Sequence, residues 1–266
     1  MSPQNYYARR RLRSRQVVEA QLVLALVRAE RQVQPRLGGR KLYHLIKPEL
    51  QAAGVKLGRD RFFSLLSQAN LLVPRKPAVW PKTTRIDPAL PFFRNLFKEH
   101  QLTGCNQVWV ADITYIRTRE GFMYLALITD AWSRKIVGYC LGETLQAKHV
   151  LNALARALKG LKVGQKPIHH SDRGCQYACH LYVQAIEKAG LRMSMTETNH
   201  CAENALAERV NGILKQEFWL DREFDRRQQA RQTTEQSIYL YNTRRPHSSL
   251  DLATPEQVHQ ICRQRP

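Results

Sequence analysis

The sequence predicts an α/β protein whose mixed sheet with flanking helices follows an all-α module. Before Val73 every apolar stripe has a helical period. From Gln107 onward β-branched, apolar runs alternate with helical stretches. Charge divides at the same place. Residues 1–85 hold 18 Lys+Arg against 4 Asp+Glu, a net +14, and the remainder holds 24 against 18, a net +6. An overall charge of +20 points to a polyanionic partner, nucleic acid before any other, because phosphate backbones reward clustered cations. A hydrophobic fraction of 43% excludes wholesale disorder, and 266 residues suffice for one to two domains. The run Leu22 to Val27 is too short to cross a bilayer, and Arg9 to Arg15 lead into a helical pattern without a cleavage motif.

Residues 1–73 read as a helical, helix-turn-helix-like DNA-binding domain. Its first helix runs from Arg15 to Gln32, with Ser14 as N-cap and Val18, Leu22, Ala25 and Leu26 as the stripe. Pro35 and Gly38-Gly39 break it. The second helix, Arg40 to Ala53, buries Leu42, Leu45, Ile46 and Leu50, with Pro48 as a kink and Gly54 as its stop. The third, Arg59 to Ala69, packs Phe62, Leu65 and Leu66. Arg59 and Arg61 open it and are the candidate DNA contacts, against the plainer reading of a small bundle with solvated charges. Residues 74–105 form a basic, proline-rich linker with a short helix.

Residues 106–220 carry the strands. Gln107–Arg117, Phe122–Thr129 and Lys135–Leu141 form an antiparallel trio, and the turn at Asp130 gives that aspartate an Asx-type role rather than a catalytic one. A helix from Ala147 to Lys159 leads to the strand that ends at Asp172. A helix from His180 to Ala189 and the strand Leu191–Thr196 follow. This order is that of a ribonuclease-H-like sheet. Residues 221–266 form a helical extension, with a helix through Ile238-Tyr239-Leu240-Tyr241. A second helix starts at Thr254-Pro255, with Gln257 completing a capping box.

Three acids stand out chemically. Asp112 interrupts an apolar strand, where a carboxylate is costly unless a partner neutralises it. Asp172 follows a short strand and precedes a turn. Glu208 shares one helical stripe with Asn204, Asn211 and Lys215, opposite Leu206, Val210, Ile213 and Leu214. A bound divalent cation is the expected partner of such acids. The six cysteines invite a zinc reading through Cys175, Cys179, His180, His170 and His200. Their spacing fits no regular paired-ligand pattern, so reduced, scattered thiols are the better account.

The segments Asn106–Ile116, His170–Tyr177, Asn204–Glu208 with Lys215, and Tyr241–Leu250 resemble, in order, four motifs of bacterial insertion-sequence transposases. The match is to the IS-three family, second reading frame product (OrfB), with a retroviral-integrase-type core. Gly38–Leu72 is similar to that family's helix-turn-helix-like region. Glu203 departs from the family's usual aspartate, and Arg209-Val210-Asn211 departs from a Ser-Phe-Phe-like stretch. The resemblance implies a DDE recombinase that cleaves and transfers DNA strands at element ends. Asp112, Asp172 and Glu208 would hold two Mg²⁺ ions ~3.5–4 Å apart, with Mn²⁺ able to replace them. Lys215 would grip a phosphate, and Asn204, Asn211, Arg245 and His247 join Arg59 and Arg61 as expected DNA-binding residues. It further implies inverted-repeat and target DNA, the first-reading-frame product (OrfA) and other copies of the chain as partners, in the bacterial cytoplasm at the nucleoid. The alternative is a non-catalytic DNA-binding protein derived from such an element.

Overall fold

The structure, a computed structural model, describes residues 3–74, 91–197 and 203–264. The chain forms two compact units, Met1–Ala78 and Val79–Pro266.

In the first unit, α1 (Pro3–Val33), α2 (Gly39–Ala52) and α3 (Arg59–Gln68) surround Val23, Val27, Leu42, Ile46, Leu50, Phe62 and Leu66. Helix α1 runs through Ser14, the expected cap. The arginines around Ser14 are good helix formers, and Pro3 suits a first turn. Pro48 sits inside α2 without ending it. The Tyr43 hydroxyl donates to the Leu57 carbonyl at 2.6 Å and ties α2 to the turn before α3. Gly39 allows close packing there, since a Cβ at this position would lie 2.8 Å from the Phe63 ring.

The second unit is built on a sheet with the order β3-β2-β1-β4-β5. Strands β1 (Val108–Thr118), β2 (Gly121–Asp130) and β3 (Ile136–Gly142) are antiparallel. Strands β4 (Ile168–Ser171) and β5 (Arg192–Met195) run parallel to β1 on its other side. A two-residue strand, β6 (Glu223–Phe224), pairs with the far end of β1, which sequence reasoning did not anticipate. Helices α4 (Ala147–Leu158), α5 (Cys175–Ala178) and α6 (His180–Lys188) cover one face through Trp109, Ala111, Val150, Leu154 and Tyr182. Gly138 permits the approach of α4, because a Cβ there would fall 2.2 Å from the Ala153 carbonyl oxygen.

Helices α7 (Ala205–Glu217) and α8 (Arg227–Thr243) cover the other face, packing Val210, Ile213, Leu214, Ile238 and Tyr241 on Ile116, Leu125 and Leu127. The residues after 220 therefore share the core of the sheet. Helix α9 (Pro255–Gln264) starts at the expected capping box. Thr254 N–H donates to Gln257 Oε1 at 2.8 Å, and Gln257 N–H donates to Thr254 Oγ1 at 3.3 Å. Of the linker, 75–90 lies outside the described residues, as does His200, and 91–105 contains no helix. Asp130 takes the turn role expected of it, accepting the Ser133 N–H and hydroxyl, both at 2.7 Å. Among the described residues no helix is long and apolar enough to cross a membrane.

Candidate active site

Sheet register brings the first two acids together. Strands β1 and β4 are parallel, with Val108 opposite Ile168, Val110 opposite His170 and Ala111 opposite Ser171. Continuing that register sets Asp112 abreast of Asp172, on strands that lie ~4.8 Å apart. The two-residue period of a strand gives Asp112 the face of Val108 and Val110, and gives Asp172 the face of Ile168. Val108, Val110 and Ile168 pack against Ala207 and Leu206 of α7. Both aspartates thus belong to the face that α7 covers, Asp112 in the middle of β1 and Asp172 just past the carboxyl end of β4.

Helix α7 is pinned to β1 by two amides on the stripe predicted for it. Asn204 Nδ2 donates to the Ala111 carbonyl at 3.2 Å, and Asn211 Nδ2 donates to Asp112 Oδ2 at 2.7 Å. Glu208 lies between them, in the first turn of α7. Lys215, two turns on, sets its Nζ 5.5 Å from the centre of the Tyr115 ring. Burial pulls the Lys215 ammonium below its usual value, while attraction to Asp112 pulls it back up. The Asp172 loop is held by Arg173, which donates to the carbonyls of Thr196 and Glu197, both at 2.8 Å. Gly174 N–H caps Asp172 Oδ1 at 3.1 Å.

The Asp112 carboxyl is pushed up to about 7. Burial is the main cause and the charge of Asp172 the next. The amide of Asn211 and the backbone N–H of Ile113 oppose them, and Glu208 adds to the rise. Each of the other two acids therefore acts on Asp112 through space, as expected of carboxylates that share a site short of positive charge. Among the described residues, however, ligand atoms all lie within 4.8 Å of one another only for Cys105, Asp130 and His259, not for the acidic trio. Like-charge repulsion opposes a tighter approach of the three acids, and the Asn211 and Gly174 donors already occupy part of two of them.

The expected DNA contacts divide. Arg59 and Arg61 are exposed at the start of α3, with Arg59 paired to Asp60 at 2.8 Å. Four others are corrected, because their side chains serve the interior. Asn204 is 2% exposed and Asn211 6%, and both amides bond to β1. Arg245, 1% exposed, forms a fork on Glu217 with bonds of 2.8 and 2.7 Å, joining the ends of α7 and α8. His247 is buried with its ring edge-on to Tyr241, centroids 5.0 Å apart. A helical stripe or a basic loop in the sequence does not distinguish a DNA-facing side chain from one that faces the sheet. His170, a possible zinc ligand on sequence grounds, is buried and bonded through Nδ1 to Ser194 Oγ at 2.9 Å.

Comparison with known proteins gives a consistent picture. A family model described as an integrase core domain matches residues 103–201, and a second with the same description matches 189–255. The chain is 36% identical over 223 residues to the insertion element IS600 uncharacterized 31 kDa protein of Shigella sonnei, covering 82% of each chain. It is 33% identical over 211 residues to transposase InsF for insertion sequence IS3A of Escherichia coli strain K12, covering 79% of this chain and 73% of that one. In fold it is similar to a chain of the simian T-cell lymphotropic virus intasome, at a TM-score of 0.53 and 17% identity, covering 86% of this chain and 77% of that one. The ribonuclease-H-like architecture expected from the order of elements, and the integrase core expected from the resemblance, are the ones observed.

Proposed function

Because the chain belongs to the bacterial insertion-sequence transposases that carry an integrase core, we propose that it is the catalytic subunit of DNA transposition, cleaving and joining strands at the ends of its element. One observation carries this reading: Asp112 continues the parallel register of β1 and β4 next to Asp172, on the face covered by the helix that bears Glu208.

An all-oxygen donor set at a site short of positive charge fits a hard divalent cation. Asp112, Asp172 and Glu208 would hold two Mg²⁺ ions, or Mn²⁺ in their place, which supply activation of the attacking oxygen and stabilisation of the departing 3′ oxygen. Asn211 keeps the Asp112 carboxylate aimed and favours its charged form. Gly174 N–H orients the Asp172 carboxylate. Lys215 brings a cation beside the acids, suited to a DNA phosphate at the cut. Arg59 and Arg61 present charge to the DNA backbone from the first unit. The first-reading-frame product and further copies of this chain complete the assembly on DNA, in the bacterial cytoplasm at the nucleoid.

The test is an assay of the full chain on labelled inverted-repeat ends, in Mg²⁺ and in EDTA, with and without the first-frame partner. Cleavage and joining in Mg²⁺ alone support the reading. Salt-sensitive DNA binding with no cleavage under any of these conditions would favour the non-catalytic alternative.

A further inference from the structure

A separate cluster of ligating side chains forms where the end of β2 meets α9. Cys105 precedes β1, Asp130 ends β2, and His259 lies in α9. One ligand atom from each comes within 4.8 Å of the other two. Cys262 follows His259 by three residues on the same helix, a spacing that shares a face, and that helix meets Cys105 where the Cys105 thiol donates to the Val258 carbonyl at 3.9 Å. Asp130 and His259 are buried, and the two cysteines are half-buried, which leaves a way in from solvent.

Ser133 is the hub of this cluster. Its hydroxyl donates to Asp130 Oδ1 at 2.7 Å and lies 3.0 Å from His259 Nδ1. The ligand atoms of Cys105, Asp130 and His259 thus gather around the Ser133 hydroxyl. The ion pair of Lys135 with Glu256, at 2.7 Å, holds α9 in this position independently of the cluster.

We propose that Cys105, Cys262, His259 and Asp130 form a tetrahedral zinc site, with the ion standing in place of the Ser133 hydroxyl. Two sulfurs, an imidazole and one carboxylate are donors that zinc accepts and magnesium does not, so the site is chemically distinct from the acidic trio. For Asp130 and His259 the hub distances of 2.7 and 3.0 Å exceed zinc–ligand lengths of about 2.0–2.2 Å by at most about 1 Å, within reach of small side-chain shifts. On binding, both thiols release their protons to solvent, leaving two thiolates and a carboxylate around the dication. Arg134, which is drawn electrostatically to Asp130, offsets the remaining negative charge. The ion would staple α9 to the end of the sheet. Cysteine spacing could not reveal the site, because its ligands come from three segments that only folding unites.

The test uses the reduced full chain with cobalt(II) as a coloured substitute for zinc, in excess Mg²⁺ so that oxygen-only sites are taken. The expected result is a thiolate-to-cobalt charge-transfer band that zinc abolishes. Cys105→Ser and Cys262→Ser should each weaken cobalt binding by about 100-fold or more, beyond the 10–100-fold typical of supporting partners. Ser133→Ala should keep the band, and so should Cys175→Ser, which removes an exposed thiol. Circular dichroism confirms that each variant is folded. No charge-transfer band in the parent chain would overturn the proposal. So would a band unchanged in both cysteine variants, or one lost in folded Ser133→Ala. Carboxylate coordination gives no such band, so failure here leaves the transposase reading untouched.

Discussion

Asn211 Nδ2 lies 2.7 Å from Asp112 Oδ2, a hydrogen bond that joins α7 to the middle of β1. Asn211 is 6% exposed and lies one turn beyond Glu208 on α7. Its amide is one of two donors that favour the charged form of Asp112. Removing it should raise that carboxyl further above about 7 and make cation binding harder at neutral pH. A hydrogen bond to a charged group contributes ~1.5–3 kcal/mol, so Asn211→Ala should bind Mg²⁺ about tenfold more weakly at pH 7. The deficit should shrink at pH 9, where Asp112 is ionised in either case. Calorimetric titration at both values checks this. A DNA-contact role would instead change the salt dependence of DNA binding and leave Mg²⁺ affinity alone.

A carboxyl raised to about 7 in the folded chain binds a proton that the unfolded chain has already lost. In metal-free protein Asp112 therefore removes stability as pH rises from its ordinary value of 3.8 through about 7. Asp112→Asn should be more stable than the parent above pH 7, with the gap closing toward pH 4. Mg²⁺ should stabilise the parent and not the variant. Thermal melts across that range are the check, and a gap that widens toward low pH would contradict the shift.

His169 and His170 behave in the opposite sense. Burial is the chief cause that lowers them, to about 3 and about 4, so both rings stay neutral in the fold. Below pH 6.5 the unfolded chain takes up protons that the folded chain refuses, and stability falls as pH drops toward 4. Ring resonances of these two residues should not titrate between pH 5 and 8. A midpoint near 6.5 for either would mean that the strand leading to Asp172 is not buried as described.

Arg245→Ala should destabilise the second unit by about 3–5 kcal/mol, because it leaves Glu217 without its buried partner. The measurement is chemical denaturation alongside DNA binding. Unchanged stability with weakened DNA binding would restore Arg245 to the DNA surface.

The strands that bear the acids were legible in the sequence, and their register was not. An aspartate inside Val108–Ile116 and another just after Ile168–Ser171 could be placed on or beside strands, but the parallel pairing of β1 with β4 came only with the sheet. The capping box at Thr254 and the turn role of Asp130 were readable because both depend on local hydrogen bonds. Burial was not readable where polar residues face inward. Asn204, Asn211 and Arg245 have the composition of a DNA-binding surface, and only the packing of α7 and α8 on the sheet shows that their partners lie inside. The same holds for Cys105 and Cys262, whose proximity arises from α9 folding back on the start of β1.

The central claim is that Asp112, Asp172 and Glu208 act as one metal-holding unit. Strand transfer by Asp172→Asn, on labelled element ends in Mg²⁺, tests it most directly. The account predicts joining reduced to background while the variant stays folded and still binds the same DNA. Full strand transfer by that variant would contradict it.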